Sequence, residues 1–279
     1  MAVPVPALRL RPLTLMDVLD ESFRLYRANF PLLAGLAIGL VIPTLAVQLL
    51  SGGYGGLGAV IDGFSNPGAP TPNISPPNPF LGLIQYPIQL ALVPFQAGAL
   101  FAASISIVLG TPVSLQSVLR TVLNRYWAVW GLSLLYGVAG FAVLCPPLGI
   151  WLLTRLSMMI PVLFTELAPI GTAVDRSWRL TDHAFWRTFA LLTLSLILAY
   201  VVQGALAGVF VTAAAVFPGL ATGLRVILIV GLASLMTQLV QPLVVMAITL
   251  LYFDLRVRKE AFDLELMAYQ LALAPGSAS

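Results

Sequence analysis

The chain has 279 residues, of which 59% are apolar and only 9% charged, and its mean hydropathy is +0.96. Water-soluble domains are about 45–50% apolar and about 25% charged, so that class is excluded. A single cysteine, Cys145, excludes an internal disulfide and any multi-thiolate metal site. The apolar runs lack the polar/apolar alternation of a closed barrel, which leaves helices as the spanning solution.

In chain order, Arg9 and Arg11 precede an amphipathic, acid-containing stretch rather than a short apolar core with a cleavage site, so the first apolar run is expected to be retained. Residues 1–29 are read as a cytoplasmic amphipathic N-terminus. Leu15, Val18, Leu19, Ser22, Phe23 and Tyr26 follow helical spacing on one side, and Asp17, Asp20, Glu21, Arg24 and Arg27 occupy the other. Thr14 with Asp17, and Thr172 with Asp175, carry the pattern of an N-cap followed by a carboxylate. No glycine or proline interrupts Arg24 to Phe30, so the alternative of an unbroken extension into the next span stays open.

Residues 30–253 are read as six spans, near Phe30–Leu50, Gly82–Leu109, Trp127–Cys145, Leu148–Thr165, Phe185–Phe217 and Leu224–Phe253. The first two flank a Gly-, Pro-, Asn- and Ser-rich loop. Only Pro146 and Pro147 separate the third from the fourth, so a tight hairpin is expected there. Residues 254–279 are read as a cytoplasmic tail. The fold class is thus an all-α integral membrane protein, a single membrane domain over 1–279.

Two motifs recur. "DESFRLYRANF" from Asp20 and "DRSWRLTDHAF" from Asp175 share Asp, Ser, an aromatic, Arg, Leu and a later Phe. A shift of 100 residues lays Pro12, Leu15, Val18, Leu19, Tyr26 and Ala28 over Pro112, Leu115, Val118, Leu119, Tyr126 and Ala128. The third copy opens at Pro169, with two residues dropped before its core. Each copy precedes an odd-numbered span. The expected plan is three units, each an amphipathic interfacial helix plus two spans, with further interfacial helices near 112–126 and 169–182.

Charge fixes the expected sides. With six spans, one side collects Arg9, Arg11, Arg24, Arg27, Arg120, Arg125, Arg176, Arg179, Arg187, Arg256, Arg258 and Lys259, against Arg225 alone on the other. Basic residues stay on the cytoplasmic side, which predicts a multi-pass protein of the cell (inner) membrane with both termini cytoplasmic.

No reaction is legible. The one histidine, His183, stands beside Asp182 without clustered carboxylates, and "GGYGGLG" lacks the lysine and strand-to-helix setting of a phosphate loop. No catalytic residue, no metal ligand and no cofactor is expected. Arg155 and Glu166 are the intramembrane polar candidates, since ionisable groups inside spans are functional suspects. Eleven residues separate them, about 16 Å along a helix axis, so they share a face without touching. Gln203, Gln238 and Gln241 are read as interhelical hydrogen-bond partners. At the end, "LLYFDLRVRKEAFDLELMAYQ" places a basic cluster next to the cytoplasmic leaflet. Arg24, Arg27, Arg179, Arg256, Arg258 and Lys259 are the candidate lipid or interface contacts.

"RPLTLMDVLDESFRLYRANF", "DRSWRLTDHAFWRTF" and "LLYFDLRVRKEAFDLE" resemble the bacterial glycerophosphoryl diester phosphodiesterase membrane-domain family over almost the whole chain. In that family a six-helix domain precedes a soluble phosphodiesterase. The resemblance implies recurrent positions at Pro12, Leu15, Phe23, Arg24, Tyr26, Ser177, Trp178, Arg179, Leu180, Tyr252, Asp254, Arg256, Arg258 and Glu260. Pro12, Phe23, Tyr26, Ser177, Trp178, Tyr252 and Asp254 among them are expected to be structural. The family's paired histidines and metal-binding carboxylates have no counterpart in this chain. The expected function is therefore a non-catalytic membrane anchor, scaffold or lipid-associated accessory. The alternative is a small-molecule or lipid transporter or channel with a site near Arg155. Expected partners are membrane lipids, anionic ones included, and a protein partner or a second copy of the chain, but no nucleic acid.

Overall fold

The computed structural model describes residues 14–50, 79–216 and 222–260. Pro12, the Gly- and Pro-rich loop at 51–78 and the tail from 261 onward lie outside the described residues. The described residues are helical, with no strand among them. In chain order they form α1 (Leu15–Ala28), α2 (Phe30–Leu50), α3 (Pro79–Val108), α4 (Leu115–Asn124) and α5 (Tyr126–Phe141). After a 3-10 turn at Ala142–Leu144 come α6 (Pro146–Leu156), α7 (Met159–Thr165), α8 (Ile170–Thr181), α9 (Phe185–Val216) and α10 (Thr222–Glu260). Among the described residues, four segments are long and apolar enough to cross a membrane: Tyr86–Val108, Pro146–Thr165, Phe185–Leu206 and Ser234–Glu260. Phe30–Gly39 and Tyr126–Phe141 are shorter apolar helices.

The caps explain the helix ends. Thr14 accepts from the Asp17 N–H at 3.2 Å, and Asp17 accepts from the Thr14 N–H at 2.9 Å, so two orphan donors are satisfied reciprocally. One hundred residues on, Ser114 and Ser117 repeat the arrangement at 3.1 Å in both directions. The expected cap at Thr172 is corrected: α8 starts two residues earlier, at Ile170. Pro169 stands at its N-cap without a side-chain cap bond, which leaves Thr172 and Asp175 inside the helix. Asn29 separates α1 from α2, its N–H donating to the Leu25 and Tyr26 carbonyls and its side-chain amide to Leu25 at 3.0 Å. Pro31, two residues on, has no N–H for the Arg27 carbonyl, so the ladder of α1 cannot run on unbroken into α2. Between α5 and α6, Cys145 is extended and Pro146 opens α6, a position that wastes no N–H.

The fourth expected span is not one continuous helix. Its ladder breaks at Ser157–Met158, three to four residues before Pro161. Proline has no N–H to donate, so the carbonyl of Ser157 loses its intrahelical partner and the turn there opens. The helix at the sixth expected span, by contrast, continues to Glu260, seven residues beyond Phe253. Asp254, Leu255 and Val257 are buried, so the helix enters the packed bundle where a tail was expected.

Burial divides the molecule along its long axis. On α3, Ala99, Leu100 and Ala103 are inaccessible, whereas Tyr86 and Val93 are 71% and 55% exposed. The buried stretches include Ala99–Ile105, Leu156–Leu163 and Val245–Leu255, and α1, α4 and α8 pack their apolar faces over them. The packing is close: a Cβ at Gly98 would lie 3.2 Å from the side chains of both Val122 and Val129. We call this end the collar. At the other end, α3, α5, α6 and α9 present exposed Leu90, Val138, Phe141, Leu148, Ile197 and Tyr200. Contiguous exposed apolar surface on this scale is costly in water and needs a hydrocarbon or protein neighbour.

Candidate functional site

The polar residues of the collar converge on the C-terminal turns of α10. Asp254, whose side chain is inaccessible, accepts from Arg187 of α9 at 2.8 Å and from Arg258 one turn on at 3.0 Å. Glu260 accepts from Arg176 at 2.6 Å and from Arg256 at 3.1 Å. Arg176 also bonds both oxygens of Glu166, at 3.1 and 3.0 Å, so one guanidinium ties α8 to the end of α7 and to α10. Burial works against the charge of Arg176, but Glu166 and Glu260 outweigh it and hold its pKa above the ordinary arginine value. The Tyr252 hydroxyl lies 2.6 Å from Thr165 and donates to Glu166 at 3.1 Å, and Arg256 stands over its ring at 5.9 Å. Such a network is worth more intact than in part, because an unpaired buried charge is expensive.

A second group surrounds the C-terminus of α8. Arg155 donates to the Trp178 carbonyl and to Asp182, both at 3.3 Å. Its guanidinium lies 5.9 Å from the Trp151 ring centre and 5.5 Å from that of Trp178. Lys259 donates to the carbonyls of Arg179, at 2.9 Å, and Asp182. Two cations therefore cap the negative end of α8, and His183 follows with a left-handed φ of 54°. Partial desolvation works against the Asp182 carboxylate, but the hydrogen bond from Arg155 and its charged neighbours outweigh it and hold its pKa below the usual aspartate value. Across the collar, Arg125 does the same for the end of α7, donating to Leu167 at 2.7 Å and Ala168 at 3.0 Å.

Ser177 has a role that its sequence position did not reveal. Its hydroxyl donates to the Arg155 carbonyl at 2.7 Å and accepts from the Met158 N–H at 3.2 Å, so it bridges the broken turn between α6 and α7. Two tyrosines meet proline-disturbed turns as well. Tyr126 donates to the Ala91 carbonyl at 3.1 Å, three residues before Pro94, and Tyr26 donates to Leu239 at 2.6 Å, three residues before Pro242. Trp130 takes the carbonyl that Pro94 leaves free, Leu90, at 3.1 Å. Gln238 accepts from Gln96 at 3.0 Å, and Gln96 also reaches the Ala37 carbonyl, joining α2, α3 and α10.

The expected site residues therefore fall into two groups. Arg155, Glu166, Ser177, Trp178, Tyr252, Asp254, Arg256, Arg258 and Lys259 meet in the collar. Arg24, Arg27, Phe23 and Arg179 are exposed, with Arg24 paired to Glu21 one turn away. Arg155 and Glu166, expected to share a helix face, sit on either side of the break and take different partners. Sequence reasoning passed over Arg176, Arg187 and Asp182 as pairing residues, because a contact between distant helices leaves no local spacing to read. Among the described residues no group of three or more His, Cys, Asp or Glu side chains could hold a metal ion. No protein-family model matches the chain, and neither does any curated protein or solved structure.

Proposed function

We propose that the chain is a non-catalytic, six-span scaffold of the cell (inner) membrane, associated with lipid and built from three units around the collar. The pairing of Glu166, Asp254 and Glu260 with arginines from other helices carries this reading, since it spends the collar's buried acids on holding α7, α8, α9 and α10 together. Residues held this way serve geometry rather than turnover. The exposed apolar end supports burial in hydrocarbon, with Trp127 and Trp186 each near the start of an apolar helix in the manner of interfacial anchors. Both ends of the chain then lie on the collar side, which carries most of the arginines and is the cytoplasmic side in this reading.

The threefold plan is supported by the tyrosine contacts. Tyr26 and Tyr126, 100 residues apart, each donate to the carbonyl three residues before a proline in an even-numbered span. Ser177 reaches the corresponding disturbed turn before Pro161. Each unit thus addresses the even span that precedes its own odd span, from the amphipathic helix in α1 and α8 and from the first residue of α5 in the middle unit. The resemblance to the glycerophosphoryl diester phosphodiesterase membrane domain belongs to the same proposal, because Tyr26, Ser177, Tyr252 and Asp254 all make these connections.

The broken helix α6–α7 favours a transporter as the second reading, since discontinuous spans often line substrate sites. The pairing of Arg155 with Asp182 and the Trp178 carbonyl at the collar speaks for a structural role instead. Topology is the direct test. Cys145 is exposed and is first replaced by serine. In that background Ser75→Cys should react with an impermeant thiol reagent added to intact cells and Ser277→Cys should not. Labelling at Ser277, or at both, contradicts the six-span arrangement.

A further inference from the structure

A furrow of about 730 Å³ runs between α3 and α5 on the apolar end, walled by Leu90, Val93, Trp130, Leu134, Gly137 and Val138. That volume is in the range of sites that take a small molecule. Its origin is legible. Pro87 and Pro94 interrupt the α3 ladder, and Gly137 contributes no side chain, with nothing within 4 Å of where its Cβ would be. Trp130 pins one end by its bond to the Leu90 carbonyl. Tyr86 and Phe141, 71% and 75% exposed, flank the other.

Resting on the membrane reading above, we propose that this furrow holds one acyl chain of a phospholipid from the collar-side leaflet. Its walls belong to helices immersed in hydrocarbon, so the neighbour that reaches it is a lipid tail. Its length agrees: Trp130 to Phe141 spans about 16 Å of helix, close to half of a hydrocarbon core about 30 Å thick. It begins one helical turn beyond Tyr126, where α5 leaves the collar, so the chain enters from that side. The lining is mostly apolar on both walls, with Gln89 and Ser133 as its amide and hydroxyl side chains, which suits a methylene chain better than a polar substrate.

The test uses the full-length protein in nanodiscs with a phosphatidylcholine bearing a photoreactive group in its acyl chain. Crosslinks should concentrate on α3 and α5 along the furrow, and native mass spectrometry after detergent exchange should find one retained phospholipid per chain. Gly137→Leu and Val93→Trp, which fill the furrow from opposite walls, should each lower retention at least five-fold. Gly35→Leu, at an equally open glycine on α2, should leave it unchanged. Crosslinks spread evenly over α9 and α3, equal retention in all variants, or a retained mass that is a second chain would each overturn the proposal. If the cysteine labelling contradicts the six-span topology, the furrow proposal falls with it. If the topology holds and the crosslinks scatter, the furrow proposal fails alone.

Discussion

The two copies of the Asp-x-Ser-aromatic-Arg-Leu motif fold into helices with matching buried faces, yet they are held in different ways. Val18, Ser22 and Leu25 of α1 match Ala173, Ser177 and Leu180 of α8, and all six are buried. Beyond that face α8 is clamped. Arg176 ties it to Glu166 and Glu260, Ser177 bridges the α6–α7 break, and Arg155 and Lys259 cap its C-terminus. In α1 the residue equivalent to Arg176 is Glu21, which pairs only one turn away with Arg24, and Ser22 donates to Val18 of its own helix at 2.6 Å. Among the described residues, α1 reaches α10 by the hydrogen bond from Tyr26 to the Leu239 carbonyl. One motif can thus supply a face for packing while its polar positions are free to become either a clamp or a solvated surface.

The largest difference should come from the paired charges. Arg176→Gln leaves Glu166 with the Tyr252 hydroxyl and no cation, and Glu260 with Arg256 alone, and should cost about 3 kcal/mol of stability, read as a lower melting midpoint in detergent. At the equivalent site, Glu21→Gln should change stability by less than about 1 kcal/mol, since a surface pair within one helix contributes little. Equal effects would erase the distinction between clamp and surface.

The serines give the next effect. Ser177→Ala leaves the buried Met158 N–H without its acceptor and should cost about 1–3 kcal/mol. Ser22→Ala removes a bond to a carbonyl already used by the α-helix ladder and should be close to neutral. A smaller change is expected for Tyr26→Phe, about 1 kcal/mol, because one hydrogen bond is lost while the ring keeps its packing on Phe30, 5.5 Å away. Tyr126→Phe should match it. A large gap between the two would separate the units that the shared register joins.

Much of this was legible from local chemistry. Apolar runs placed the helices, Thr14 with Asp17 placed the start of α1, and a 100-residue shift paired Tyr26 with Tyr126 before any contact was known. The expected range near 169–182 encloses α8, but its cap is not Thr172: Thr172 and Asp175 carry cap chemistry inside the helix, and Pro169 supplies the extended residue at the N-cap. Pro161 signalled a free carbonyl, but whether a helix kinks or breaks depends on what fills the gap, and the hydroxyl of Ser177 comes from another helix. From the sequence, the arginines of the tail are expected to face headgroups. Arg256 and Arg258 instead meet Glu260 and Asp254 one turn away, because α10 runs on into the collar. Partner choice among charges is a tertiary property, and sequence spacing carries it only within one helix.

Amide hydrogen exchange on the unmodified protein in nanodiscs tests the clamp directly, because protection reports local opening free energy. The account predicts that amides of α8 exchange with the slow, collar-wide class, while those of α1 exchange faster through a local opening that breaks the Tyr26 contact and the packed face. Equal protection of the two helices, or slower exchange in α1, would contradict it.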